Sequence, residues 1–100
     1  MYVRVVTVHV QPGKVDEVWR RLREAVPEVQ AIRGFREARF LTDASTNTFL
    51  GVTLWETEAD ARAAPVAGAE GGSLRDLLTE PGAVAFYELS MEFTRETGPR

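Results

Sequence analysis

The sequence contains no cysteine and a single histidine, His9. Disulfides, thiolate nucleophiles and zinc–thiolate centres are therefore excluded, and the composition is compatible with a reducing cytoplasm, where we expect the protein to act. The carboxylates show no metal-ligand spacing, and no glycine-rich phosphate loop occurs. We therefore expect no bound metal and no cofactor.

Long apolar runs and a basic stripe are also missing. The formal net charge is −3, which argues against a nucleic-acid partner. The apolar stretch "MYVRVVTVHV" is interrupted by Arg4 and His9 and is too short to span a membrane. It also lacks the basic region and cleavage site of a signal peptide. These features predict a soluble protein without a membrane partner.

The 100 residues, 44% of them hydrophobic, suit one small domain. We assign residues 1–96 to this domain and expect residues 97–100 to be a flexible tail. A strand is predicted at 2–10, and its two faces are both apolar, which is typical of a strand that is covered on both sides. Apolar residues then recur at helical spacing over 15–26, and Pro27 ends or kinks the helix or opens a short second turn.

The rest of the chain is predicted to contain a hairpin, a second helix, a short helix and a last strand. Residues 35–42 and 48–56 flank the turn "DASTN" and predict a hairpin. Thr57 is a plausible N-cap for a helix that begins at 58. The glycine-rich segment 65–72 is either a plain loop or a mobile cover. A short helix "LRDLLTE" capped by Ser73 and a last strand over 83–93 complete the chain.

The element order β-α-β-β-α-β predicts an α+β, ferredoxin-like fold, with an antiparallel four-stranded sheet and both helices on one face. Apolar residues on both faces of the strands indicate that the other sheet face is covered as well. A second copy of the same sheet is the simplest cover, so we expect a homodimer formed through the sheet face.

Four segments in this order resemble the antibiotic biosynthesis monooxygenase domain family, whose members are dimeric α+β barrels. They are "VHVQPGKVDEVWRRL", "GFREARFLTD", "TFLGVTLWETEADARAA" and "FYELSMEF". The resemblance implies oxygen chemistry without metal or flavin in some members and haem breakdown in others. It also implies a cleft between sheet and helices that is lined by Trp55.

Residue-by-residue transfer of the family's site is incomplete. The haem-degrading members imply an asparagine near Val6 and a histidine on the second helix, and neither is present. The quinone-forming members imply an asparagine at Gly51, a tyrosine at Ala61 and an arginine that resembles Arg75. We therefore assign Val6, Gly51, Trp55 and Ala61 to the substrate cleft, and the resemblance argues against haem degradation.

Two polar side chains are candidates for catalysis. His9 could act as a base, while Arg75 could stabilise a substrate anion. His9 has the opposite strand parity to Val6, so a structural or interface role is the alternative. Trp55 could be a core residue, a cleft wall or both.

The leading prediction is a cofactor-independent monooxygenase that acts on a small aromatic, quinol-like or polyketide-like molecule. One alternative is a non-catalytic dimer that binds a small hydrophobic ligand in the same cleft. Another is an accessory dimer whose cleft is filled. The fold alone does not choose among them, since one fold hosts many functions.

Overall fold

Four strands and two helices follow one another in the predicted order. The computed structural model describes residues 1–100. Its elements are β1 (Tyr2–His9), α1 (Val15–Gln30), β2 (Phe35–Asp43), β3 (Thr48–Trp55), α2 (Glu58–Ala63) and β4 (Ala83–Glu88). None of the helices combines the length and the hydropathy that a membrane-spanning segment needs.

The strands form one antiparallel sheet in the order β2-β3-β1-β4. The apolar strand β1 therefore lies in the interior of the sheet, between β3 and β4. Its register with β3 sets Val6 opposite Gly51 and Tyr2 opposite Trp55. This arrangement confirms the predicted ferredoxin-like α+β fold.

The helix-facing side of the sheet carries two buried clusters. The larger cluster joins the sheet to α1 and to the chain before β4, and consists of Val8, Val10, Val18, Phe49, Leu74, Leu77 and Leu78. The smaller cluster packs the end of β3 against α2 and consists of Trp55, Ala61 and Ala64. Between them the two clusters hold the helices over one face only.

The opposite sheet face, here called the open face, carries the other parity of each strand. Val3 and Val5 on β1 lie opposite Leu54 and Val52 on β3, and all four are only half-buried. The chain beyond β4 lies beside one end of this face, where Leu89 and Glu92 line a small pocket with Val3, Val52 and Leu54. The rest of the open face remains available to a partner.

Helix α1 presents the predicted apolar stripe to the core. Val18 is fully buried, and Val15, Trp19 and Leu22 pack partly buried against the larger cluster. The helix does not end at Pro27 but continues to Gln30. Pro27 lies in the last turn, so its missing N–H removes only one intrahelical bond near the end of the helix.

In the second half of the chain the predicted helix cap is present, but the short helix and the last strand are shorter than predicted. The Thr57 hydroxyl accepts from the Asp60 N–H at 3.1 Å, which confirms the predicted N-cap. The helix predicted at 74–80 is a single 3₁₀ turn, Arg75–Leu77, and Ser73 does not cap it. Leu77 and Leu78 are both buried, and Leu78 forms an isolated bridge with Val10, directly after β1. The chain therefore returns to an extended form after one turn.

Strand β4 ends at Glu88 instead of continuing to 93. Its only neighbour is β1, which begins at Tyr2, so the last ladder-like bond is from the Leu89 N–H to the Met1 carbonyl. The chain then folds back on itself, and Glu92 and Arg100 exchange backbone bonds of 2.8 and 3.3 Å. Where the domain ends and a tail begins stays a prediction.

Candidate functional site

A cavity of about 130 Å³ lies between the sheet and the helices, where the two core clusters meet. Of the 18 residues that line it, 13 are hydrophobic. Trp55 and Phe49 form part of the sheet wall, and Val18 and Leu22 form part of the α1 wall. The cavity is therefore an apolar chamber into which few polar groups project.

Trp55 belongs both to the core and to the cavity wall. Its side chain is fully buried, and its ring meets Phe35 edge-on, with the ring centroids 5.5 Å apart. The indole Nε1–H donates to the Thr53 hydroxyl at 2.8 Å, and Thr53 donates to the Arg4 carbonyl at 3.4 Å. These bonds fix the plane of the indole beside the cavity. The two roles considered for Trp55 coexist.

Arg4 is the charged residue of the cavity that sequence reasoning missed. It is only 7% exposed, and its Nη1 donates to the carbonyls of Ala61 and Ala64 at 3.4 and 2.7 Å. Its Nη2 donates to the Pro65 carbonyl at 3.2 Å. The guanidinium carbon lies 5.4 Å from the Trp55 ring centroid, within the range of a cation–π contact.

The charge of Arg4 has no carboxylate partner. None of the ion pairs of the chain includes it, and its buried Nε has no hydrogen-bond acceptor. Burial lowers the pKa of the Arg4 guanidinium, yet arginine stays protonated in proteins. The cavity therefore has one cation in its wall, held by carbonyl dipoles at the end of α2.

The predicted cleft residues lie as follows. Val6 and Gly51 line the cavity together with Trp55, because they are opposite each other on the helix-facing side of β1 and β3. A Cβ at Gly51 would lie 3.2 Å from the Phe40 ring, so the glycine leaves room for that aromatic side chain. Ala61 is fully buried against Trp55 but does not line the cavity.

His9 lies outside the cavity, on the open face of the sheet. Its Nδ1 is 3.1 Å from the Thr48 hydroxyl, and its Nε2 is 3.9 Å from a carboxylate oxygen of Glu80. The position agrees with its strand parity, since Val6 faces the helices. The structure does not bring His9 to Trp55, and its catalytic role stays a prediction.

Arg75 is also separated from the cavity. It lies on the 3₁₀ turn, where its Nε is 3.4 Å from a carboxylate oxygen of Glu70 and its Nη1 donates to the Leu78 carbonyl. The preceding residue, Leu74, turns inward and lines the cavity instead. Arg75 therefore has partners of its own, and its proposed contact with a substrate anion stays a prediction.

The glycine-rich segment forms one wall of the cavity through Pro65, Val66, Ala67 and Gly68. It is tied to the rest of the fold by backbone bonds, from Leu74 to Ala67 and from Gly82 to Gly68, both 2.8 Å. A Cβ at Gly68 would lie 2.8 Å from Val8. The segment thus lies directly against β1, and glycine at 68 permits that approach.

Haem is a cofactor that part of the resemblance implies, and the residues present do not fit it. Haem iron is held by His, Cys, Met or Tyr side chains, and none of these lines the cavity. The volume of about 130 Å³ is also below the roughly 300–1,000 Å³ of pockets for drug-sized ligands. No cluster of His, Asp and Glu elsewhere in the structure could hold a metal ion.

Solved structures with the same fold come from several organisms. A protein of unknown function from Nitrosomonas europaea, NE2512, is 22% identical over 97% of this chain and 95% of its own, with a TM-score of 0.75. A protein from Bordetella bronchiseptica assigned to the antibiotic biosynthesis monooxygenases is 19% identical over 89% of this chain and 96% of its own, with a TM-score of 0.73.

The haem degrader MhuD from Mycobacterium tuberculosis, solved with two haems in its active site, has the same fold. It is 17% identical over 94% of this chain and 100% of its own, with a TM-score of 0.69. At these identities the likeness extends to the fold alone. No curated protein matches the chain at a significant level.

The family model described as antibiotic biosynthesis monooxygenase matches residues 1–64. This range includes β1, α1, the β2–β3 hairpin and α2, and therefore Arg4, Gly51 and Trp55 of the cavity wall. The match covers more than half of the sequence. The chain belongs to the antibiotic biosynthesis monooxygenase family.

Proposed function

We propose that this protein is a cofactor-independent monooxygenase that oxidises a small aromatic, quinol-like substrate in the cavity beside Trp55. The observation that carries the proposal is the pairing of an apolar chamber with one buried cation, Arg4, next to an aromatic wall. Family membership agrees with the reaction class. Single-ring quinols are the members of this substrate class that suit so small a cavity.

The reaction needs few groups from the protein. A quinol that has lost a proton is an electron-rich anion that reacts with O₂ directly. One oxygen atom enters the ring as a hydroxyl group, the other leaves as water with two hydrogens of the quinol, and a hydroxyquinone results. The buried cation stabilises the reacting anion, and the apolar walls keep water from competing with O₂.

The cavity offers no side chain as a general base. Arg4 is the only ionisable residue among those that line it, and a guanidinium does not accept a proton. The substrate must therefore enter the cavity as an anion, or lose its proton to water while Arg4 stabilises the resulting quinol anion. The ionisation of the substrate, and not that of a protein side chain, therefore controls the rate.

Oxygen consumption tests the proposal directly. Protein in chelator-treated buffer would be mixed with single-ring quinols and, for comparison, with anthrones, and O₂ uptake and hydroxyquinone formation would be followed. We expect turnover that survives the chelator and falls at least tenfold in Trp55→Phe. The variants His9→Ala and Arg75→Ala test the two sequence candidates in the same assay. Absence of turnover with every substrate would contradict the proposal.

The second candidate function is a binding protein that holds a small aromatic molecule without converting it. The observation that favours it is the same lack of a general base among the lining residues. It predicts quenching of Trp55 fluorescence by aromatic ligands and no O₂ uptake. The two functions therefore share a ligand site and differ only in turnover.

We also propose that the chain forms a homodimer through the open face. Leu41 and Tyr87 on this face are 50% and 58% exposed, and Val3, Val5 and Val52 between them are only half-buried. An apolar sheet face of this extent is costly to leave in water. A second copy would cover it without closing the cavity, which lies on the opposite side of the sheet.

A further inference from the structure

We infer that Arg4 determines which ligand the cavity accepts, and that it selects a single-ring aromatic molecule that carries an anionic oxygen of the phenolate type. The inference rests on the proposed function, because it assigns the ligand class of the same cavity. It assigns a role to a residue that the sequence resemblance does not mark.

The first argument is the unused donor of Arg4. Three of its N–H groups are directed at carbonyls of the segment 61–65, and these bonds have an evident structural purpose. The Nε–H is buried, has no acceptor and belongs to a side chain that lines the cavity. A buried donor without a partner is rare and costly in folded proteins. The guanidinium therefore has hydrogen-bonding capacity that its carbonyl partners do not use.

The second argument is charge. A buried cation is normally paired with a carboxylate, and Arg4 has only carbonyl dipoles and the Trp55 ring. An anionic oxygen would complete the pairing inside an apolar chamber, where the attraction is stronger than in water. A neutral ligand of the same shape would leave the cation unpaired. The cavity should therefore prefer the anion over its neutral isostere.

The third argument is size. An apolar cavity of about 150 Å³ is large enough to hold benzene, and the present cavity measures about 130 Å³. One aromatic ring therefore matches the space. Trp55 and Phe49 offer the ring two aromatic walls.

Two matched ligands separate charge from shape. Pentafluorophenol is ionised at neutral pH, and pentafluorotoluene has nearly the same shape without the charge. Binding of each would be measured by fluorine NMR and calorimetry, so that the result does not depend on turnover. We expect native protein to bind the phenolate at least about tenfold more tightly, as a hydrogen bond to a charged group would give.

The variants test whether Arg4 causes this preference. In Arg4→Met we expect the preference to vanish while the affinity for pentafluorotoluene changes less than threefold. Arg4→Lys, which retains a charge but loses the Nε donor, should fall between the two. Arg75→Met is the control, because it removes an arginine outside the cavity and should leave the preference intact. Circular dichroism and thermal melting would establish that each variant folds.

The outcomes distinguish this inference from the proposed function. Equal affinity of native protein for the two ligands would overturn the role of Arg4, because its charge would then give the cavity no preference for an anion. Failure of both ligands to bind would overturn the inference and the proposed cavity site together. A preference that depends on Arg4, in a protein without O₂ uptake, would support the inference and contradict only the monooxygenase proposal.

Discussion

The Arg4 guanidinium lies over the face of the Trp55 ring, with its central carbon 5.4 Å from the ring centroid. The two residues come from neighbouring strands that pair directly, β1 and β3. Thr53 joins them, since its hydroxyl accepts from the Trp55 indole and donates to the Arg4 carbonyl. Both side chains therefore belong to the buried interior and to the cavity wall.

Replacing Trp55 by phenylalanine should destabilise the fold by about 1–3 kcal/mol. The variant loses the bond to Thr53, part of the contact with Phe35 and the larger ring that fills the end of the core. Urea unfolding at neutral pH would measure the loss. Trp19→Phe is the matched control, because Trp19 is only partly buried, and a larger loss in the control would contradict the assignment.

An ion pair between α1 and the 3₁₀ turn should make the free energy of unfolding depend on pH. Asp76 receives two bonds from Arg21, at 2.8 and 3.1 Å, and this contact lowers the pKa of the Asp76 carboxyl. A lowered folded-state pKa contributes stability that is present above the unfolded pKa and is lost as the pH falls through the folded pKa.

Asp76→Asn should therefore be less stable than native protein at neutral pH, and the difference should shrink at pH values below the usual aspartate range. The expected difference is small, since Asp76 is exposed and solvent screens the pair. Urea unfolding over a series of pH values would measure it. Asp16→Asn, on an exposed part of α1, is the control, and an equal effect there would contradict a specific role for Asp76.

Local signals in the sequence predict most of the fold. The Thr57 cap, the hairpin turn and the apolar run of β1 depend on nearby residues and agree with the structure. The end of β4 could not be predicted from nearby residues, because it is set by where the partner strand β1 begins. The 3₁₀ turn is likewise decided by the burial of Leu77 and Leu78 against distant strands.

The same distinction applies to the cavity. Val6, Gly51 and Trp55 could be assigned to it because the family resemblance marks them. Arg4 shares the parity of Val6, yet a charge in an apolar strand looks like an interruption until its partners are known. Those partners are backbone carbonyls about 60 positions away, and a carbonyl has no sequence signature.

A charge placed on the open face should weaken the proposed dimer. Val52 pairs with Val5 and with Arg39 near the middle of this face. Val52→Lys would bury an unpaired ammonium group in the interface, so we expect the dimer dissociation constant to rise at least about tenfold. Sedimentation equilibrium would measure it.

Val26→Lys is the matched control for the dimer, since Val26 is 42% exposed and lies on α1, away from the open face. We expect this variant to associate like native protein. A native protein that is monomeric at high concentration, or a dimer that Val26→Lys disrupts more than Val52→Lys does, would show that the open face is not the interface.

The pH dependence of turnover should follow the substrate. No side chain that lines the cavity is a base, and Arg4 stays charged throughout the accessible range. The value of kcat/KM should therefore rise with pH along the ionisation of the quinol. Two quinols with different pKa values would be compared in the oxygen electrode, and the inflection should move with the substrate. An inflection that stays at the same pH for both substrates and disappears in His9→Ala would show instead that His9 supplies the base, by reaching a site that the single chain does not form.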